Sequence, residues 1–145
     1  MPAVFDYSPA GSYAPRQRIM TELVPAPVGG GLDARTLQRV IDFMQQNLGT
    51  PPSLAALASV AAVSRFHFAR LFRRSTGASP MVYLGKLRLQ RAQELIRAGE
   101  LSLVEIADLL GYTDQSHFTR RFRLAVGCTP AVYARELGAQ PKPHP

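Results

Sequence analysis

The motif His67-Phe68-Ala69-Arg70-Leu71-Phe72-Arg73 recurs fifty positions later as His117-Phe118-Thr119-Arg120-Arg121-Phe122-Arg123. The same register continues downstream at Gly77 and Gly127, Pro80 and Pro130, and Tyr83 and Tyr133. Upstream, Ser53-Leu54 matches Ser102-Leu103 with a shift of one residue. A repeat of this length indicates a duplicated supersecondary unit. Two copies are too few for a solenoid, but they suit a bipartite binding surface.

From Asp33 onward, the chain carries the start and stop signals of seven helices and no convincing strand. The predicted N-caps are Asp33, Ser53, Ser64, Ser79, Ser102, Asp114 or Thr113, and Thr129. Ser102 and Glu105 have the spacing of a capping box. The longest predicted helix runs from Pro80 to about Ala98 and is followed by Gly99. The sequence therefore predicts an all-α fold.

Each repeated unit is a short helix, a tight turn and a second helix, which is the layout of a helix-turn-helix. The turn of the second copy contains Gly111, and glycine tolerates a positive φ. The first copy has Ala62-Val63 at that place, so we expect its turn to use a different backbone geometry. The predicted fold is a homeodomain-like tandem of two helix-turn-helix subdomains joined by a long linker helix.

The predicted subdomains are residues 33–79 and 99–137, with residues 80–98 as the connecting helix. Residues 1–32 are punctuated by proline and glycine, and we expect a flexible arm or linker in which 18–24 could form a short strand. Residues 138–145 include three prolines among the last five residues, and we expect a disordered tail.

The charge of the chain favours a polyanionic partner. The sequence has 17 Lys and Arg against 10 Asp and Glu, a formal net charge of +7. Nucleic acid, an anionic membrane and a ribosomal surface would all fit this charge. Fifteen of the 17 cations are Arg, whose planar fork matches phosphates and guanine edges, so the excess of Arg suits nucleic acid better than simple solubility.

Other classes of protein find little support in the sequence. The single cysteine, Cys128, excludes an intramolecular disulfide and a cysteine-based zinc site. The three histidines belong to no catalytic set or metal cluster recognisable by spacing, so we expect neither an enzyme nor a cofactor. No stretch approaches the ~18 apolar residues of a membrane span, and the first twenty residues do not resemble a secretory signal. We therefore expect a cytoplasmic protein that does not bind membranes.

The repeated helices separate into an apolar and a polar face. Phe68 and Phe72 in the first helix, and Phe118 and Phe122 in the second, are predicted to anchor each helix on its subdomain. A helix fits the DNA major groove, where its outward side chains reach base edges and its flanks touch phosphates. The predicted base contacts are Arg70 and Arg120, which suit guanine, Gln115, which can pair with adenine, and Thr119, which offers a hydroxyl or a methyl group. The predicted phosphate contacts are Arg65, Arg73, Arg74, Arg121 and Arg123.

A basic helix face is usually only solvated. Here the same residues recur at the same helical phase, which solvation alone does not require. The connecting helix of roughly 18 residues would be ~27 Å long, and successive major grooves on one DNA face lie ~34 Å apart. That length, with its flanking turns, is compatible with two recognition helices on one DNA face.

The stretch from Gly111 to Arg123, followed by Gly127-Cys128-Thr129-Pro130-Ala131-Val132-Tyr133, closely resembles the signature of the AraC/XylS family of bacterial transcription regulators. The resemblance covers about Asp33 to Glu136. It implies two helix-turn-helix subdomains that bind promoter DNA as a monomer in the bacterial nucleoid, and usually activate transcription by contacting RNA polymerase. By position, the resemblance implies base contacts at Phe66, Ala69 and Arg70 in the first unit. It implies further base contacts at Gln115, Ser116, Thr119 and Arg120 in the second unit.

The two recognition helices are not expected to contribute equally. Ala69 stands where the family usually has a polar base-reading side chain, so the first helix should discriminate less between bases than the second. Specificity should depend on the positions where the copies differ, Phe66 and Ala69 against Ser116 and Thr119.

Two other interpretations stay open. The basic face could bind an acidic protein partner instead of DNA. The chain could also be the DNA-binding fragment of a larger effector-responsive regulator, since residues 1–32 are too short to form an effector domain.

Overall fold

The computed structural model describes residues 30–138, which form seven α-helices and no strand. The helices are α1 (Ala34–Gln46), α2 (Leu54–Ala61), α3 (Arg65–Thr76), α4 (Pro80–Ala98), α5 (Leu103–Leu109), α6 (Gln115–Val126) and α7 (Pro130–Glu136). The prediction of an all-α fold with seven helices is confirmed. Residues 1–29 and 139–145 lie outside the described part, and so does the short strand predicted at 18–24.

Each of the seven helices is preceded by a polar N-cap residue that the sequence indicates. The side chain of each N-cap accepts a hydrogen bond from the backbone N–H three residues further on. Asp114, not Thr113, caps α6. The capping box is complete, because Ser102 N–H donates to Glu105 Oε1 at 2.8 Å and Glu105 N–H donates to Ser102 Oγ at 3.0 Å. These caps are local, and this is why the helix starts are readable from sequence.

Two hydrophobic cores lie beneath the two helix-turn-helix units, and α4 contributes to both. Its first half places Tyr83, Leu84 and Leu87 in the first core. Its second half places Leu89, Ala92 and Ile96 in the second core. The connecting helix is therefore shared between the units and is part of each.

The repeat extends to the packing of aromatic rings. The centroids of Phe68 and Phe72 are 5.6 Å apart, and the Phe72 ring meets Tyr83 edge-on at 5.2 Å. In the second core the matching distances are 5.7 Å for Phe118 and Phe122, and 5.4 Å between the rings of Phe122 and Tyr133. The beginning of α4 is thus the structural counterpart of α7.

The two turns have the same backbone geometry, so the prediction of a different turn in the first copy is wrong. Ala62 has φ 61° and Gly111 has φ 80°. Ala62 N–H donates to the carbonyl of Ser59, as Gly111 N–H does to that of Asp108. Among the described residues Ala62 is the one non-glycine residue with a positive φ. The surrounding structure therefore holds this alanine in a conformation that local preference disfavours.

The one-residue shift between the copies arises at Thr113. Ala62 is followed by Val63 and the N-cap Ser64, whereas Gly111 is followed by Tyr112, Thr113 and the N-cap Asp114. The insertion lies between the turn and α6, and leaves the turn itself unchanged.

The last residues of the predicted N-terminal arm belong to the first core. Leu32 is buried, and its N–H donates to the buried Oγ of Ser75 at 2.8 Å. Arg74 Nη1 donates to the carbonyl of Gly30 at 3.4 Å. Residues 30–32 therefore pack against the C-terminal part of α3, although the sequence assigns them to a flexible segment.

Candidate nucleic-acid interface

The two helix-turn-helix units place α3 and α6 in equivalent positions. Each helix buries its two phenylalanines completely, Phe68 and Phe72 in α3 and Phe118 and Phe122 in α6. Because each pair is spaced i, i+4, the opposite face of each helix is turned outward. The inward anchors are those that the sequence predicts.

The outward face of α3 begins with an exposed aromatic ring. The side chain of Phe66 is 72% exposed, and the Arg65 guanidinium carbon lies 5.6 Å from its ring centroid. Arg70 is exposed, with its Nη2 atom 3.4 Å from Nδ1 of His67. Ala69 is half-buried between these residues. An exposed ring flanked by arginines can offer a base an apolar surface, cationic hydrogen-bond donors, or both.

The outward face of α6 is more polar. Gln115 and Ser116 are exposed in the first turn, directly after the cap at which Asp114 Oδ1 accepts from His117 N–H at 2.8 Å. Thr119 is half-buried, as is its counterpart Ala69 in α3. Arg120, Arg121 and Arg123 are exposed. This face offers hydroxyl, amide and guanidinium groups that can hydrogen-bond to base edges and phosphates.

The basic side chains of the two helices lack carboxylate partners within the part of the chain that the structure describes. Within residues 30–138, no carboxylate lies at ion-pair distance from any arginine of α3 or α6. These arginines are Arg65, Arg70, Arg73, Arg74, Arg120, Arg121 and Arg123. Arg91, by contrast, pairs with Glu94 at 2.9 Å, and both of these residues lie on α4. These seven guanidinium groups, which have no carboxylate partner among the described residues, create a positive surface on two equivalent helices that is suited to a polyanion.

A cluster around Tyr112 joins α4 to the start of α6. The Arg88 guanidinium carbon lies 4.1 Å from the Tyr112 ring centroid, and the His117 ring meets that ring edge-on at 5.4 Å. Burial raises the pKa of the Tyr112 phenol, while the charges of Arg88 and Arg121 act to lower it. Burial also lowers the pKa of the Arg88 guanidinium. The charge of Arg121 thus acts on this cluster, although the sequence indicates only a phosphate contact for it.

The sequence did not indicate any role for Arg88. Its Nε donates to the carbonyl of Leu110 at 2.8 Å, in the turn between α5 and α6. The one local sign of a role for Arg88 was its place between Leu87 and Leu89, which are both core residues. The contact itself joins residues far apart in sequence, so it becomes visible only in the fold.

Residues 30–138 do not provide the elements of a metal site or of a single-helix membrane span. No group of three or more His, Cys, Asp or Glu side chains in this range could hold a metal ion. In the same range no single helix has the length and apolar composition to cross a membrane. The pair α2 and α3 meets these criteria only together, with a bend of 77° between them.

A family model described as a helix-turn-helix domain matches residues 57–136, which is more than half of the chain. A curated relative from Streptomyces antibioticus is named as an AraC-like transcription regulator, and a solved structure similar to this chain is described as containing an AraC-type DNA-binding domain. The chain belongs to the AraC family. This membership confirms the resemblance stated from the sequence. Members of this family are DNA-binding transcription regulators and not enzymes.

Two curated relatives show how the AraC-type domain is shared. The chain is 37% identical over 82 residues to the transcriptional regulator GbdR of Pseudomonas aeruginosa. This match covers 57% of this chain and 22% of GbdR. The chain is also 40% identical over 80 residues to the RCS-specific transcriptional activator RclR of Escherichia coli. This match covers 55% of this chain and 28% of RclR. The chain therefore spans less than a third of the length of these relatives.

Two solved structures of transcription regulators superpose on most of the helical architecture of this chain. A transcriptional regulator from Chromobacterium violaceum superposes with a TM-score of 0.68 at 30% identity, covering 74% of this chain and 96% of the other. The DNA-binding domain of AdpA, solved in complex with a target DNA, superposes with a TM-score of 0.64 at 30% identity, covering 69% and 90%. The tandem helix-turn-helix arrangement predicted from the repeat is confirmed.

Proposed function

We propose that the chain binds a specific double-stranded DNA sequence by inserting α3 and α6 into successive major grooves. The observation that carries the proposal is the pair of equivalent outward faces, whose seven arginines have no carboxylate partner among residues 30–138. Helix α4 has 19 residues and is about 28 Å long at 1.5 Å per residue. That length is compatible with the ~34 Å between successive major grooves.

The proposed roles of the side chains follow their position on the helices. The base-reading set is Phe66, Ala69, Arg70, Gln115, Ser116, Thr119 and Arg120. The phosphate-binding set is Arg65, Arg73, Arg74, Arg121 and Arg123. All twelve are exposed except Ala69 and Thr119, which are half-buried at equivalent positions. Because Thr119 has a hydroxyl that Ala69 lacks, α6 should discriminate more strongly between bases.

Arg120 is the strongest candidate for reading a guanine, and Arg70 is its counterpart in α3. An arginine can donate two parallel hydrogen bonds to O6 and N7 of guanine, the commonest specific contact in the major groove. Gln115 can form the corresponding pair of hydrogen bonds with adenine. The exposed ring of Phe66 suits contact with a thymine methyl group.

The biological setting is proposed from the family. A chain with two recognition helices can occupy a site without a two-fold axis, so we propose that it binds promoter DNA as a monomer. We further propose that it acts in the bacterial cytoplasm, at the nucleoid, and activates transcription by contacting RNA polymerase. The relative RclR is named as a transcriptional activator, which favours activation over repression.

The relatives are longer than this chain, and this supports a second proposal about its context. A DNA-binding unit that matches 22% and 28% of GbdR and RclR can serve as one part of an effector-responsive regulator. An effector would then act through a domain separate from the two helix-turn-helix units.

A selection of bound duplexes from a random pool, followed by a salt titration, tests the DNA-binding proposal. We expect one preferred bipartite site whose two halves lie about one helical turn apart. Its affinity should fall steeply with salt because phosphate contacts release counterions. Equal affinity for every duplex would contradict sequence-specific binding. The absence of binding to any duplex would favour the alternative that the basic face binds an acidic protein.

A further inference from the structure

The loop after α1 contacts the turn between α5 and α6 through backbone atoms, at two glycine residues. A Cβ atom added at Gly49 would lie 2.6 Å from the carbonyl oxygen of Leu109. A Cβ added at Gly111 would lie 2.6 Å from the carbonyl oxygen of Gly49. Neither glycine therefore has room for a side chain. We call this contact, between residues 48–49 and residues 109–111, the junction.

The junction connects the two helix-turn-helix units by a second route besides α4. Leu48, next to Gly49, packs against both hydrophobic cores. Gly111 belongs to the turn of the second unit, whereas Gly49 follows the first helix of the first unit. Helix α4 is packed into both cores, and a second contact away from its axis further restricts the rotation of one unit relative to the other.

Arg88 holds the same turn from the side of α4. It lies between Leu87 of the first core and Leu89 of the second core. Its Nε donates to the carbonyl of Leu110 at 2.8 Å, and its guanidinium carbon lies 4.1 Å from the Tyr112 ring centroid. A charge-assisted hydrogen bond to a half-buried carbonyl is stronger than a neutral one. The turn is thus held by the junction and by Arg88.

The position of this turn is transmitted to the start of α6. The Tyr112 ring lies 5.4 Å from the His117 ring and 5.2 Å from the Phe118 ring, between centroids. Ser116, a proposed base-reading residue, precedes His117 in the first turn of α6. A rotation of the turn would therefore move the residues that enter the groove.

We propose that the junction and Arg88 fix the rotation of α6 relative to α3, and so set the number of base pairs between the two halves of the DNA site. This inference rests on the proposed function. B-DNA turns once in about 10–10.5 base pairs, so adding one base pair rotates the second half-site by roughly 34°. A rigid protein cannot follow that rotation, whereas a protein with a loosened junction can.

The test uses Gly49→Ala and Arg88→Met, with Gly85→Ala as the matched control. Gly85 lies inside α4, and a Cβ added there would meet nothing within 4 Å. Methionine keeps an apolar stem at position 88 but cannot donate to Leu110 or stack as a cation. Affinities are measured for the selected DNA site and for versions with one base pair added or removed between the halves.

The wild-type chain and Gly85→Ala should lose about tenfold in affinity on either altered spacing, a loss comparable to one mismatched base pair. In Gly49→Ala and Arg88→Met this loss should shrink to roughly threefold or less, a change of about 0.7 kcal/mol in discrimination. A spacing penalty as large in both variants as in the wild type would overturn the inference and leave sequence-specific binding intact. If the wild-type chain prefers no sequence, the proposed function is overturned together with the inference.

A measurement without DNA tests the inference about rotation separately from the proposed DNA-binding function. Nitroxide labels at Ala55→Cys on α2 and Ala131→Cys on α7, both exposed positions, report the distance between the units in a Cys128→Ser background. The distance distribution should be narrow in the wild type and Gly85→Ala, and broader in Gly49→Ala and Arg88→Met. Equal widths in all four proteins would overturn the inference. If Gly49→Ala does not fold, Arg88→Met gives the same comparison.

Discussion

Ala62 and Gly111 occupy the same position in the two helix-turn-helix turns, and both have a positive φ, 61° and 80°. The hydrogen bonds of the two turns also correspond, since Val63 N–H donates to the Ala58 carbonyl as Tyr112 N–H does to that of Ala107. One turn therefore uses the residue that tolerates this conformation, and the other forces an alanine into it.

Replacing that alanine by glycine should stabilise the protein. The left-handed conformation costs alanine ~1–2 kcal/mol, and the greater chain entropy of glycine in the unfolded state offsets roughly 0.5–1 kcal/mol of the gain. We expect Ala62→Gly to raise the free energy of unfolding by up to about 1 kcal/mol in urea titrations. Ala55→Gly, inside α2, should instead lower it. A loss of stability in Ala62→Gly would contradict the argument from strain.

The buried and the exposed face of α6 should differ in their contribution to stability. Phe122 is completely buried in the second core, so Phe122→Ala should lower the free energy of unfolding by ~3–5 kcal/mol. Leu124 is 80% exposed on the same helix, and Leu124→Ala should change it by less than about 0.5 kcal/mol. Urea or thermal unfolding measures both, and similar losses in the two variants would contradict the assignment of faces.

Arg120→Ala should weaken binding to the preferred site by ~1–3 kcal/mol and relax the preference at one base pair, because a bidentate contact to a base is lost. A randomised-site selection with the variant measures this. If the selectivity of Arg120→Ala matches that of the wild type, Arg120 does not read a base.

Arg123→Ala provides the comparison for a phosphate contact. It should weaken binding to all sequences alike and reduce the slope of log affinity against log salt by about one. Affinities for the selected and a scrambled duplex at several salt concentrations give both quantities. A changed base preference in this variant would contradict its assignment to phosphate.

The cap of α1 should make stability depend on pH in the acid range. Backbone and side-chain hydrogen bonds from Thr36 hold the pKa of the Asp33 carboxyl below its ordinary value. A lowered folded-state pKa contributes stability that is complete above the unfolded pKa of about 3.9 and is lost as the pH falls through the folded pKa. Melting temperatures between about pH 6 and pH 2 should therefore show a wild-type advantage over Asp33→Asn that shrinks with acidification. A difference in melting temperature between the wild type and Asp33→Asn that stays constant across this range would contradict the dependence of stability on the Asp33 carboxyl. Asp108→Asn, at an exposed position on α5, serves as the control.

The outward faces of α3 and α6 were predictable because their pattern is local. Side chains three and four residues apart share a helix face, so the spacing of Phe118 and Phe122 alone indicates which side of α6 is buried. The N-caps are local for the same reason, since Ser64 and Asp114 bond to N–H groups three residues away. The roles of Arg120 and its neighbours on DNA stay predictions, because the protein's own fold does not test them.

The seven helices, six of their seven N-caps and the outward faces of α3 and α6 follow from the sequence, because each depends on residues within a few positions of one another. The duplication is also visible in the sequence, because the two motifs repeat at a spacing of fifty residues. The tertiary structure alone decided the left-handed conformation of Ala62, the burial of Leu32 against Ser75, and the division of α4 between two cores. It also decided the approach of Gly49 to Gly111 and the bond from Arg88 to Leu110. These features depend on backbone segments that are distant in sequence and meet only when both cores have packed, and no local pattern specifies such a meeting.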